Sequence, residues 1–317
     1  MEMYITRPLP PRVTEAARAR FNVTERAQTT ALKPGEMRAA LTLYDVVVPT
    51  LGDVFDAAVF AEVPRPRCRL LANFGVGYNH IDVDAARAVG VAVTNTPGAV
   101  TDATADIALT LMLMSARRAG EGERLVRAGK WQGWHPTQLL GMHLGGKVLG
   151  IIGMGRIGQA VARRAHLGLG MEVVFHNRSP RAVEGVSARQ LGSVADVMAA
   201  ADIVVIAVPG GAGTRHLIDA DALAAMRPHA HLINIARGDV VDEAALIAAL
   251  QDRAIAGAGL DVYEFEPQVP NALRAMENVV LLPHLGTAAL DVREAMGMMA
   301  LDNAIALAEG RALPNPV

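Results

Sequence analysis

Thiol chemistry is almost absent from this chain of 317 residues: a single cysteine, Cys68, cannot close an internal disulfide or form a redox pair. Its place just before Leu70-Leu71-Ala72 gives it a packing role, and one thiol fits a reducing compartment. Aromatics are scarce at 4%, with only two tryptophans. No excess charge of either sign exists, since 30 Lys and Arg against 32 Asp and Glu leave a formal net charge of -2. With no basic cluster to concentrate phosphates, a nucleic-acid partner is not expected. No run of about eighteen apolar residues occurs, which excludes a membrane helix. The start, Met1-Glu-Met-Tyr-Ile-Thr-Arg7, lacks the basic and apolar regions of a secretion signal. A soluble, cytoplasmic protein without membrane or metal partners is the expectation.

What is present is the composition of a folded protein, 51% apolar and 20% charged, in a chain long enough for two domains. Apolar runs of strand length recur at Val46–Val48, Leu70–Ala72, Val91–Val93, Leu149–Ile152, Glu172–Phe175, Ile203–Val208, Leu232–Ile235, Gly257–Leu260 and Val279–Leu282, with helical segments between them. Near-continuous apolar strands alternating with helices predict α/β architecture, with parallel sheets covered on both faces. About nine strands are too many for one small unit. The stretch from Thr101 to Ala116 predicts a long apolar helix, capped by Thr101 or Asp102, that leads out of a first α/β unit. A second helical run from Ala288 to Glu309 predicts a return to it. The expected division is therefore a discontinuous substrate domain, 1–99 and 287–317, and a dinucleotide-binding domain, 100–286.

The dinucleotide assignment comes from Gly153-Met-Gly155-Arg156-Ile157-Gly158, a G-x-G-x-x-G with a strand-like run before it and a helix-like run after it. The first glycine allows the tight turn, the second lets backbone approach a pyrophosphate, and the third lets helix and strand pack closely. At the end of the next strand, where an NAD-specific fold places an acid, stands Phe175-His176-Asn177-Arg178-Ser179. Nothing there repels a 2′-phosphate: Arg178 can pair with it, and Asn177 or Ser179 can hydrogen-bond it. NADPH is thus expected over NADH, although a lone surface arginine compatible with either cofactor is also open.

Three further candidates follow strands of the same domain: Arg237, then Asp261 with Glu266, then His284. Ligands of open parallel sheets lie beyond the carboxyl ends of the strands, so these side chains should converge beside a nicotinamide. A guanidinium can grip the carboxylate and the carbonyl oxygen of a 2-oxo acid together. Hydride arriving at C2 leaves negative charge on that oxygen, which a protonated imidazole can neutralise. A carboxylate beside the imidazole keeps it protonated. The loop at Val76 and Gly77 can add backbone donors, or can be a plain strand-to-helix turn.

These pieces resemble the D-isomer-specific 2-hydroxyacid dehydrogenase family over essentially the whole chain. The matching segments are Asn73-Phe-Gly75-Val-Gly77-Tyr-Asn-His-Ile-Asp82, Thr94-Asn-Thr-Pro-Gly98, Thr104-Ala-Asp106, the glycine motif, Asn234-Ile-Ala-Arg237-Gly238, Gly259-Leu-Asp261-Val, Glu266-Pro267 and Pro283-His284. The resemblance implies two doubly wound domains, a Rossmann cofactor domain and a flavodoxin-like substrate domain. It implies that Arg237, Glu266 and His284 are catalytic, with Asn73, Val76 and Gly77 joining Arg237 on the substrate. Around the dinucleotide it implies Thr104, Val208, Pro209, Thr214, Ile235, Ala236, His284 and Gly286, with Asp261 on the carboxamide.

Within the family, a formate-oxidising relative would carry Gln in place of Glu266. Relatives acting on phosphoglycerate or phosphite would carry a basic residue matching Asn73 or Val76. The segment Gly129-Lys-Trp131-Gln-Gly-Trp134-His-Pro136 resembles the glyoxylate/hydroxypyruvate reductase branch, which implies NADPH-linked reduction of one of those small acids. A homodimer built on residues 106–146 is expected, with Trp131 and Trp134 either packing in it or touching substrate. Other readings stay open: an NAD-linked dehydrogenase for larger 2-hydroxy acids, or a dinucleotide-sensing protein without activity.

Overall fold

Strands with no polar face need cover on both sides, and both sheets of the computed structural model have it. The structure describes all of residues 1–317 and divides into two units, Met1–Val100 with Ala288–Val317, and Thr101–Thr287.

The first unit holds β1 (Glu2–Ile5), β2 (Asn22–Glu25), β3 (Val46–Val48), β4 (Leu70–Ala72) and β5 (Ala92–Thr94) in one parallel sheet of order β2-β1-β3-β4-β5. Helices α1 (Pro11–Arg18), α2 (Pro34–Leu43), α3 (Ala57–Ala61), α4 (Val83–Ala88) and the C-terminal α12 (Leu290–Ala308) cover it. Side chains of a strand alternate between faces. Val46, Val48, Leu70 and Ala72 accordingly pack with Ala300, Leu301 and Ala304 of α12. Val47 and Leu71 pack on the other side with Met37, Leu41, Phe55 and Phe60.

The second unit holds β6 (Val148–Ile152), β7 (Glu172–His176), β8 (Ala188–Gln190), β9 (Ile203–Ile206), β10 (His231–Asn234), β11 (Gly257–Leu260) and β12 (Val279–Leu281). All run parallel in the order β12-β11-β10-β9-β6-β7-β8. Strand order reverses between β6 and β9, and the crevice at such a switch point is where open α/β sheets bind ligands. Helices α5 (Thr101–Ala116), α6 (Ala119–Arg127) and α7 (Arg156–Leu169) precede α8 (Val194–Ala200), α9 (Ala220–Ala224), α10 (Glu243–Gln251) and α11 (Asn271–Ala275). Leu111 and Met112 of α5 share one apolar layer with Val161 and Ala165 of α7. Val197, Leu223, Leu246 and Leu250 from α8, α9 and α10 form the opposite layer.

Three of the twelve strands, β1, β2 and β8, lie outside the apolar runs. The edge strand β2, Asn-Val-Thr-Glu, has no buried residue, and β8, Ala-Arg-Gln, is the other sheet's edge. An edge strand borders solvent and carries no continuous apolar signal. Helix α5 starts at Thr101 itself rather than one residue after it, and α12 begins at Leu290, two residues beyond the expected start. The strand expected to reach Val208 ends at Ile206, within the ordinary variation of element ends. Cys68 is buried, and burial pushes its thiol up to about 12, so it packs as an inert apolar group. No helix is long and apolar enough to cross a membrane.

Candidate active site

The chain leaves β6 through the glycine motif, and each glycine meets a different constraint. Gly153 turns with φ +98°, and a Cβ there would sit 2.8 Å from the Ala207 carbonyl oxygen. At Gly158 a Cβ would fall 2.2 Å from the Gly153 oxygen, so helix α7 can lie this close to β6 only without a side chain. Gly155 differs, because a Cβ there would meet nothing within 4 Å. That open space fronts the N-terminus of a 14-residue helix whose first residues are Arg156 and Ile157. Unpaired N–H groups and the helix dipole make such a space an anion cradle, so the residues fit a dinucleotide pyrophosphate. Beyond β7, Asn177 Oδ1 accepts from the Met154 N–H at 3.3 Å, which joins the 177–179 loop to the glycine turn. Arg178 and Ser179 are exposed there.

Arg237, Glu266 and His284 follow β10, β11 and β12, which are neighbours in the sheet. Asn234 shapes the Arg237 turn: its Nδ2 donates to the Arg237 carbonyl at 2.9 Å and its Oδ1 accepts from the Ala236 N–H at 3.0 Å. Ile235 and Ala236 are buried in the same turn. Arg237 Nη1 donates to the Ala236 carbonyl at 2.6 Å. Burial lowers the Arg237 pKa while Glu266 and Asp239 hold it up, and a guanidinium so placed stays a cation. Its aliphatic stem lies on Gly210, where a Cβ would be 2.6 Å from Arg237 Cγ. On the other side, a Cβ on Gly238 would fall 1.8 Å from the Tyr263 carbonyl carbon.

His284 Nδ1 donates to Glu266 Oε2 at 2.9 Å, and both side chains are 29% exposed. The other carboxylate oxygen of Glu266 accepts from the Tyr263 N–H at 3.1 Å. Burial pushes the Glu266 carboxyl up. The hydrogen bond and charge of His284, the Tyr263 N–H and Arg237 outweigh that and hold it below the ordinary carboxylate range. With Nδ1 engaged, Nε2 is the nitrogen of His284 left for a reacting oxygen. The residue has φ 55°, a left-handed conformation that is costly for a non-glycine residue. Asp261 braces it: the carboxylate accepts from Leu285 N–H at 2.6 Å and Gly286 N–H at 2.8 Å, and its backbone oxygen accepts from His284 N–H at 2.9 Å. Thr104 Oγ1 completes the brace by donating to the Gly286 carbonyl at 3.1 Å.

Two side chains that sequence reasoning missed tie these loops together. Tyr263 Oη donates to the Leu282 carbonyl at 2.9 Å, linking the loops after β11 and β12. Glu264 accepts from His216 at 2.9 Å and Arg215 at 3.2 Å, linking the β11 loop to the segment after β9. That segment carries Val208, Pro209 and Thr214, with Thr214 Oγ1 donating to the Pro209 carbonyl at 2.7 Å. No local pattern reports these bonds, since His216 and Glu264 are 48 positions apart. His231 offers no competing acid: at the opposite end of β10 it is buried, bonded to Ser115 and pushed down to about 4 by burial.

In the first unit, Asn73 is buried, and its Nδ2 donates to the Gly75 and Gly77 carbonyls at 3.0 Å each. Asn95 Nδ2 donates to the Val76 carbonyl at 2.9 Å. The loop's carbonyl oxygens are thus held by side-chain amides, an arrangement that favours presentation of its N–H groups elsewhere. Asn73 itself is committed to shaping that loop. In the segment after α5, Trp134 is 79% and Leu140 67% exposed.

Comparison with known proteins adds three observations. The family model described as D-isomer specific 2-hydroxyacid dehydrogenase, NAD binding domain, matches residues 109–286. The chain is 41% identical over 322 residues to a glyoxylate reductase of Thermococcus kodakarensis, covering 100% of this chain and 96% of that protein. It also superposes on the crystal structure of an NADPH-dependent glyoxylate/hydroxypyruvate reductase from Sinorhizobium meliloti in complex with NADP and malonate. There the TM-score is 0.87 at 35% identity, covering 100% of this chain and 96% of that one.

Proposed function

The chain belongs to the D-isomer-specific 2-hydroxyacid dehydrogenase family of NAD(P)-dependent oxidoreductases, and on that premise we propose that it reduces glyoxylate or hydroxypyruvate with NADPH. The observation that carries this is the His284–Glu266 pair at 2.9 Å across the ends of β12 and β11, with Arg237 following the adjacent β10. A carboxylate-backed imidazole suits a reaction that must deliver a proton to an oxygen; formate oxidation has no such step.

Arg237 binds the substrate carboxylate and polarises the 2-oxo group; in the other unit, the backbone N–H groups of Val76 and Gly77 are donors of the kind a carboxylate accepts. The nicotinamide, when bound, supplies the hydride to C2. His284 Nε2 hydrogen-bonds the carbonyl oxygen and gives up its proton as negative charge grows there, with Glu266 stabilising the imidazolium until that moment. The product is the 2-hydroxy acid, of D configuration where C2 becomes a stereocentre. Asp261 and Thr104 hold the His284–Gly286 turn against the nicotinamide side of the site. The Thr101–Thr287 unit carries the dinucleotide, with Gly155, Arg156 and Ile157 at the pyrophosphate and Arg178 and Ser179 at the 2′-phosphate. The same unit forms a homodimer through 106–146, and a reducing cytoplasmic setting suits the chain's lone buried thiol, Cys68 of the other unit. Binding of NADP by the Sinorhizobium meliloti relative supports the cofactor assignment.

Initial rates of NADPH and NADH oxidation with glyoxylate, hydroxypyruvate, pyruvate and phenylpyruvate test the proposal. We expect kcat/KM for one of the first two to exceed that for phenylpyruvate by about tenfold or more, and NADPH to exceed NADH by a similar factor. Preference for phenylpyruvate would overturn the substrate class, and equal use of both cofactors would overturn the NADPH assignment.

A further inference from the structure

In the loop that follows β7, three acceptor oxygens that would repel a phosphate are engaged by donors of the protein itself. Asn177 Oδ1 accepts from Met154 N–H at 3.3 Å, as described above. The other two, the carbonyls of Asn177 and Ser179, converge on one side-chain amide: Gln190 Nε2 donates to them at 2.9 Å and 3.2 Å, and the Ser179 carbonyl also accepts from Asn177 Nδ2 at 3.0 Å. Gln190 Oε1 in turn accepts from the Arg181 N–H at 3.0 Å. One side chain therefore makes three hydrogen bonds across the span 177–181.

Its own position is fixed from behind. Gln190 ends β8 and lies in register with Phe175 of β7. The next residue, Leu191, donates its N–H to the Phe175 carbonyl at 2.7 Å and accepts from His176 Nδ1 at 3.2 Å. With the carbonyls at 177 and 179 drawn toward β8, the loop bends around Gln190 and leaves Arg178 and Ser179, both donors, on its exposed side. A phosphate needs donors without competing acceptors.

We propose that Gln190 is a positioning residue for cofactor choice: it shapes the 177–181 loop so that the loop accepts the 2′-phosphate of NADPH. The inference rests on the NADPH reading above and adds a residue that touches no cofactor atom. Gln190 acts only through the loop, so its effect should be confined to ligands bearing the 2′-phosphate. A side chain needed merely for folding would weaken both cofactors alike.

The test is Gln190→Met, which keeps chain length and removes both donor and acceptor. Calorimetry with the unliganded protein measures Kd for 2′,5′-ADP and for 5′-AMP, and steady-state rates give kcat/KM for NADPH and NADH. We expect 2′,5′-ADP affinity and NADPH kcat/KM to fall about tenfold, with 5′-AMP and NADH changing by less than about twofold. Equal losses for both ligand classes, or no loss for either, would overturn the proposal. Should Gln190→Met not fold, Gln190→Glu serves: it keeps an acceptor for Arg181 N–H and sets a carboxylate against the two carbonyls, so the same split should be larger. Arg178→Ala separates the two levels of argument. If it leaves the NADPH to NADH ratio unchanged, the NADPH reading itself fails. If it collapses that ratio while Gln190→Met does not, only the present inference fails.

Discussion

Replacing Glu266 by Gln should move the alkaline limb of the reduction profile to lower pH, and the geometry bounds the size of the move. The amide keeps the shape of the carboxylate and one oxygen that can accept from His284 Nδ1, so the change removes the charge and sets the amide NH2 against the Tyr263 N–H that the second oxygen accepts. The two groups interact directly: the hydrogen bond and charge of His284 are among the causes that hold the Glu266 carboxyl low against burial. Unit charges about 4 Å apart at an effective dielectric of about 20 interact by ~4 kcal/mol, an upper bound here. Both side chains are 29% exposed, so solvent screens part of this. The limb should therefore move to lower pH, by less than that bound. Reduction needs the protonated imidazole and should fail at lower pH in the variant; oxidation needs the neutral form and should suffer less.

The assay is kcat/KM for glyoxylate reduction and for glycolate oxidation, each from mildly acid to alkaline pH. Arg237 remains a cation throughout and cannot produce the shift. Stability does not confuse the result. A carboxyl held below its unfolded value contributes stability above pH 4.5, and that contribution is lost as pH falls below 4.5 through the folded value. The alkaline limb lies far from that window. An unchanged limb in Glu266→Gln would show that His284 and Glu266 are not the acid of this enzyme.

Arg237→Ala should reduce kcat/KM by about 10²–10³, as loss of an electrostatic anchor does, while NADPH affinity by fluorescence titration stays within about twofold. Intact activity would remove Arg237 from the mechanism. Gly210→Ala places a methyl group 2.6 Å from Arg237 Cγ and should displace the guanidinium, costing about tenfold or more in kcat/KM. Unchanged kinetics in that variant would mean that the stem can move without losing its grip on substrate. Sedimentation should find a dimer at micromolar concentration, and Trp134→Ala, which alters a 79% exposed indole, should weaken it. A wild-type monomer would refute assembly through 106–146.

The proposed reacting groups stood out in the sequence because each stands just beyond an apolar run, and the family resemblance implied their roles. Leu232-Ile-Asn precedes Arg237, Gly257–Leu260 precedes Glu266, and Val279–Leu281 precedes His284. Buried parallel strands announce themselves by continuous apolar residues, and the rule that ligands lie beyond their carboxyl ends does the rest. The same logic explains what stayed hidden in the fold. In β1 only Met3 and Ile5 are buried, and β2 and β8 are polar edges, so none of the three shows that signal.

In the site, the hidden part is what sets geometry. Gly210 beneath Arg237, Tyr263 across to Leu282 and Glu264 across to His216 are contacts between loops, and periodicity carries no information about residues brought together only by the sheet. Glu264 is an instructive case: in sequence it is one more acid two positions before Glu266, whereas in the fold its side chain is only 7% exposed between Arg215 and His216. Strand ends deliver Arg237, Glu266 and His284 to neighbouring loops, but loops alone do not hold side chains to within the fraction of an ångström that proton transfer requires. The cross-loop bonds supply that constraint, so substitutions that alter this enzyme without touching a reacting group should concentrate at Gly210, Tyr263 and Glu264.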